Sequence, residues 1–224
     1  MNKIKFKYNI EKDIENFIIV AKAKEIKVSS IFLEEKRFLK YKMYFKEYGS
    51  MLDKHKLNKF INEYIANNKI NIAQDLEIIE NKWNQVNKLF WLRAEKIFKT
   101  KLPNKQIIGY LTTNNICGYN IRDNYFFITL MSTSSNLIIM HELWHFFTWY
   151  SFGKNFKKNN IISKEKYYDI KESLTEILNL EFKDLLGGQI DKGYFPHQKI
   201  REKVKKLWIK HKNIKKVVDE LLKI

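Results

Sequence analysis

The stretch 132-STSSNLIIMHELWHFFTWYSFG-153 decides how the rest of the chain reads. Leu137, Ile138, Ile139, Met140, Leu143, Trp144, Phe146 and Phe147 make it apolar almost all round, the composition of a helix buried in a core. Residues Ser132 to Ser135 offer N-caps, and Gly153 offers a C′ residue. On that helix His141 and His145 are four apart, so both imidazoles leave the same face, one above the other. They can then take neighbouring corners of one tetrahedral Zn2+ site. Glu142, beside the first of them, is placed as general base to water at that metal. The competing reading is a pair of core histidines satisfied by hydrogen bonds. Polar groups in so apolar a helix are costly unless they have partners or chemistry to perform, which favours the metal.

Composition bounds the rest. At 224 residues, 45% hydrophobic and 15% aromatic, the chain can build one good core with a small extension. A formal charge of +17 points first to nucleic acid or an anionic surface. Only Arg37, Arg93, Arg122 and Arg201 are arginines, however, and the abundance of Lys, Ile and Asn fits AT-rich coding equally well. A nucleic-acid partner is therefore the weaker expectation. The lone Cys117 excludes a disulfide framework and a cysteine-rich zinc finger. The N-terminus lacks the apolar core of a signal peptide, and no segment is apolar enough to span a bilayer. The expected location is the cytoplasm, with no membrane partner.

Upstream, Ile4, Phe6, Tyr8 and Ile10 alternate with lysines as in a short strand. Helical spacing covers Glu11 to Lys24, Ile31 to about Tyr48, and Met51 to Asn67, with breaks at Ser29-Ser30 and Gly49-Ser50. Ile72 to Thr100 reads as one long helix ended before Pro103. Ile107 to Thr113, Ile116 to Ile121 and Tyr125 to Leu130 read as three strands joined by antiparallel turns at Asn114-Asn115 and Arg122-Asp123-Asn124. Downstream, a second helix is expected from Glu165 to Leu186, ended by Gly187-Gly188. Glu172 and Glu176 share a face of it. From His197 the chain is helical again, with Ile200, Val204, Leu207, Trp208 and Ile209 inward.

Over roughly residues 72–186 the chain resembles the gluzincins, zinc metallopeptidases that include thermolysin-like enzymes and the small minigluzincins. The resemblance rests on the long helix, the small sheet, the His141–His145 helix and a following helix that bears a glutamate. It implies an α+β, predominantly helical zincin-like fold, with a small mostly antiparallel sheet packed against the H-E-x-x-H helix and a second metal-bearing helix. It divides the chain into a helical extension (1–70), a metallopeptidase core (71–195) and a packed C-terminal helix (196–224). His141, His145 and Glu172 would hold zinc, with Glu176 or Asp169 as alternatives for the third ligand. Glu176 would otherwise be the carboxylate that orients a ligand histidine, although the family more often has Asp there. Tyr194 or His197 would donate to the developing oxyanion. A peptide or protein substrate would add as a strand along a sheet edge near Tyr125 to Leu130. Two other classes remain open: a basic nucleic-acid-associated protein, such as a DNA-linked protease, and a catalytically silent metal-binding module. The C-terminal helix, following so closely on the site, could also lie across it as an inhibitor.

Overall fold

In the computed structural model, residues 4–23, 26 and 35–223 are described. They form a mixed α+β protein, mostly helical, with one four-stranded sheet. The chain divides into two compact units, Asn2–Asn81 with Lys105–Ser135, and Lys82–Asn104 with Asn136–Ile224. These limits differ from the sequence-read ones because the strand at 107–112 pairs with the N-terminal strand and carries the rest of the sheet into the unit of the N-terminal helices.

The first unit is built on its sheet. Strand β1 (Ile4–Tyr8) buries Ile4 and Phe6 between exposed lysines. It pairs in parallel with β2 (Ile107–Thr112), which pairs in parallel with β4 (Tyr125–Thr129). Only β3 (Tyr119–Asn120) runs antiparallel to β4. Two of the three pairings are thus parallel, which corrects the mostly antiparallel sheet expected from the turn signals. The turn at residues 121–124 does close an antiparallel hairpin, with Asn124 at φ 54°, but that hairpin is β3–β4. β2 and β4 come together only because the intervening chain crosses back, as parallel neighbours require. β4 is flanked by β2 and β3, so it is not the free edge expected to receive a peptide.

Helices α1 (Ile10–Ala23), α2 (Leu39–Tyr48) and α3 (Lys54–Asn67) belong to this unit, as do the first turns of α4 (Ile72–Phe98). Phe17, Tyr41, Tyr44, Leu57, Phe60 and Ile61 form its apolar core. Asp53 caps α3 by accepting the Lys56 N–H at 2.9 Å. The break expected at Ser29-Ser30 and the start of the helix expected from Ile31 lie outside the described residues. Just after β2, a buried polar network holds the chain. The Asp13 carboxylate accepts the Thr113 N–H at 2.9 and 3.0 Å and the Thr112 hydroxyl. The Lys40 ammonium donates to the Thr113 carbonyl and to Asn115 Oδ1. Burial pushes Lys40 down to about 8, against the pull of Asp13.

The second unit contains the C-terminal part of α4 (Ile72–Phe98), then α5 (Ser135–Thr148), α6 (Lys154–Lys158), α7 (Lys164–Ser173), α8 (Glu176–Glu181), α9 (Gln198–His211) and α10 (Ile214–Leu222). The apolar face of α5 packs on aromatic rings: Trp144 lies 4.7 Å from Phe98 and 5.6 Å from Phe182, and Phe147 stacks on Phe98 at 5.3 Å. Gly153 does not end this helix as a C′ residue. The chain runs through a π-helical turn, Trp149–Gly153, into α6, and Gly153 keeps ordinary helical angles, φ −60° and ψ −38°. Glycine is needed because a Cβ there would sit 2.3 Å from the Tyr167 hydroxyl.

The single helix expected over 165–186 is instead two, α7 and α8, separated at Leu174-Thr175. Thr175 supplies the reason: its hydroxyl donates to the Glu172 carbonyl at 2.7 Å, while the Ile177 and Leu178 N–H groups reach back only three residues.

Two outcomes follow. Asp13→Ala strips the acceptor from two buried donors and the counter-charge from Lys40, and should cost about 3–5 kcal/mol in urea unfolding. Gly153→Ala overpacks the Tyr167 contact and should cost about 1–3 kcal/mol by the same measurement.

Candidate metal centre

The site is assembled from α5, α7 and the loop before α9. His141 and His145 leave α5 one turn apart with their Nε2 atoms 3.0 Å from each other. Glu172, in the last turn of α7, brings Oε2 to 3.5 Å from His141 Nε2 and 3.6 Å from His145 Nε2. A point equidistant from these three atoms lies about 2.0 Å from each, the length of a zinc–imidazole or zinc–carboxylate bond. Glu172 Oε2 is buried and makes no hydrogen bond, while Oε1 receives the Lys171 ammonium. A bare carboxylate oxygen aimed at two imidazole nitrogens is costly by itself and fits a cation as the missing partner. Among the described residues, this is the one group of His, Cys, Asp or Glu whose ligand atoms converge in this way.

His141 is oriented by a residue the sequence reading did not single out. Its Nδ1 donates to Asp191 Oδ2 at 2.6 Å, which turns Nε2 toward His145 and Glu172. Asp191 is itself fixed by Asn179, whose side chain pairs with the Asp191 N–H and carbonyl at 2.8 Å each. The Gly193 N–H donates to Asp191 Oδ1 at 2.9 Å, and Gly187, Gly188 and Gly193, all at positive φ, let the loop double back to do this.

The electrostatics follow from this packing. Burial pushes the Glu142 carboxyl up to about 7, with the Glu172 charge adding to the shift and His141 opposing it. Burial and the Lys171 ammonium hold His145 well below the ordinary imidazole value, so its ring is neutral. Burial would do the same to His141, but the Asp191 carboxylate outweighs it and raises that ring well above its usual value. Glu172 would rise on burial, yet the imidazoles and Lys171 hold it well below the carboxylate range. Glu142 Oε2 is buried without a hydrogen bond. His141 keeps 20% of its side-chain surface, so the centre is not sealed.

The other sequence-predicted residues lie elsewhere. Glu176 is not on an imidazole: its Oε2 accepts from Arg201 at 2.8 Å and from Asn179 at 3.0 Å, one layer further out. Its expected role as the orienting carboxylate falls to Asp191. Asp169, the other alternative ligand, pairs with His197 Nε2 at 3.1 Å. His197 is buried, with its ring 5.4 Å from Tyr168 and 5.9 Å from Tyr194. Neither His197 nor Tyr194 belongs to the converging group. Arg201 was missed as well, although a signal existed: it stands three residues before Val204 and seven before Trp208, on the buried stripe of α9.

Asp191→Ala leaves His141 free to rotate and should weaken zinc binding about 10–100-fold in a competition titration with a chromogenic chelator.

Comparisons with known protein families, with curated proteins and with solved structures yield no match to this chain.

Proposed function

We propose that the chain is a zinc-dependent peptidase with a zincin-like catalytic core, in which His141, His145 and Glu172 hold the metal and Glu142 moves the proton. The observation that carries this reading is the convergence of two Nε2 atoms and one bare Oε2 beside a second buried, bare carboxylate oxygen on Glu142. Bound zinc supplies Lewis acidity that makes water nucleophilic near neutral pH and polarises a carbonyl. Three protein ligands leave one position open, the pattern of catalytic rather than closed structural sites. The remaining exposure of His141 fits an approach for substrate from that side.

The chain's own groups supply the rest. Glu142 lies next to the first ligand, and its buried carboxylate oxygen without a hydrogen bond is the group available to take and return a proton. In peptide hydrolysis it takes a proton from the attacking water and delivers it to the departing amine. Lys171 turns Glu172 so that one oxygen faces the imidazoles and the other is neutralised. Asp191 fixes the His141 ring in the tautomer that a metal requires.

Elemental mass spectrometry on purified protein should find about one zinc per chain, lost in His141→Ala. Glu142→Gln should keep the metal and lose cleavage of a peptide library by a factor of about 10²–10⁴. A chelator should abolish wild-type cleavage, with recovery on zinc addition. Zinc retained in Glu142→Gln with no wild-type cleavage of any peptide would mark a metal-binding module instead.

A further inference from the structure

Arg201 lies deep inside its unit, 2% exposed, and no part of the proposed chemistry uses it. A guanidinium there must satisfy its donors within the protein, and its partners are not scattered. One terminal nitrogen donates to the Thr175 hydroxyl at 2.6 Å and to the Glu172 carbonyl at 3.3 Å. The other donates to Glu176 Oε2 at 2.8 Å and to the Asp191 carbonyl at 2.6 Å. The fork therefore grips the backbone of the third proposed ligand and the backbone of the residue that orients the first. Glu176 completes the clamp by holding Arg201 and Asn179 together, and Asn179 brackets Asp191 from its other side.

The loop is shaped to admit this side chain. Gly193 sits at φ +59°, and a Cβ on it would lie 2.7 Å from Arg201 Cδ and Nη1. Lysine could keep the charge, but one ammonium cannot span the Thr175–Glu172 side and the Glu176–Asp191 side together.

We propose that Arg201 is a positioning residue of the metal centre: anchored by Glu176, it locks Asp191 and the α7–α8 junction, so that α9 completes the site instead of covering it. This rests on the zinc reading above. It replaces the inhibitory lid expected for the C-terminal helix with a clamp, since α9 places a charged fork behind the ligands. It also gives Glu176 a role that contact with an imidazole would not require.

The test is a zinc competition titration together with the visible absorption spectrum of the cobalt-substituted protein, on wild type, Arg201→Lys, Gly193→Ala and Val204→Ala. Arg201→Lys keeps a buried charge but loses the fork, and Gly193→Ala leaves Arg201 intact but displaces it. Both should bind zinc about 10-fold more weakly and shift the cobalt absorption envelope. Val204→Ala removes packing on the same helix without touching the clamp, and should lower the melting temperature while leaving affinity and spectrum unchanged. Wild-type affinity and spectrum in a folded Arg201→Lys protein would overturn the clamp while leaving the zinc reading intact. An equal loss in Val204→Ala would also overturn it, by reducing Arg201 to a general stability element. Failure of the wild type to take up zinc or cobalt would overturn both readings at once.

Discussion

His141 and Glu172 face each other where little water reaches, and that placement dictates what surrounds them. A carboxylate without water needs cations or donors; an imidazole that must present one nitrogen inward needs an acceptor behind the other. Lys171 meets the first demand at Glu172, and Asp191 meets the second at His141. Asp191 is then a buried charge in its own right, answered by the Gly193 N–H and Arg201, while Asn179 holds its backbone. Arg201 in turn needs Glu176. Charges alternate outward from the two imidazoles until the last pair reaches partial exposure, and removing any member leaves its neighbour uncompensated.

What could be read in the sequence was local. The His141–His145 spacing carries its own geometry, because a helix puts residues four apart on one face whatever lies around it. The long helix ending near Phe98 was legible for the same reason. Glu172 lies far from the histidines in sequence, and only the gluzincin resemblance singled it out. Asp191 was out of reach by pattern, since it sits in a glycine-rich loop, whereas Arg201 shares the inward stripe of α9 with Val204 and Trp208 and could have been noticed there. The break at Thr175 was hidden because threonine in a helical run is common, and its turn toward the Glu172 carbonyl depends on packing that includes Arg201.

The sheet failed for a different reason. Turn signals identify where the chain reverses but not which strands finally meet. The reversal at residues 121–124 was real, yet β4 found its main partner in β2 and reached β3 through only two residues. The N-terminal strand was recognised by its alternation, but nothing in that alternation says it pairs with β2. The buried polar network of Asp13, Lys40 and Thr112–Asn115 belongs to that same unforeseen pairing, since it fixes the chain as it leaves β2.

The parallel register of Ile4 with Ile107 has a bearing on how this chain comes to be folded at all. Along the chain, β1 and its partner strand are separated by α1, α2, α3 and α4 among the described residues. Until the two meet, an alternating strand with an apolar face lacks its ladder, and closing so long a loop carries an entropic cost before any ladder bond repays it. The lysines at positions 5 and 7 face outward from it. Such charges on an unpaired strand are a common guard against joining the wrong neighbour. In the finished sheet β1 is an edge strand, so this part of the lysine surplus lies along an edge, where charge opposes pairing with another strand.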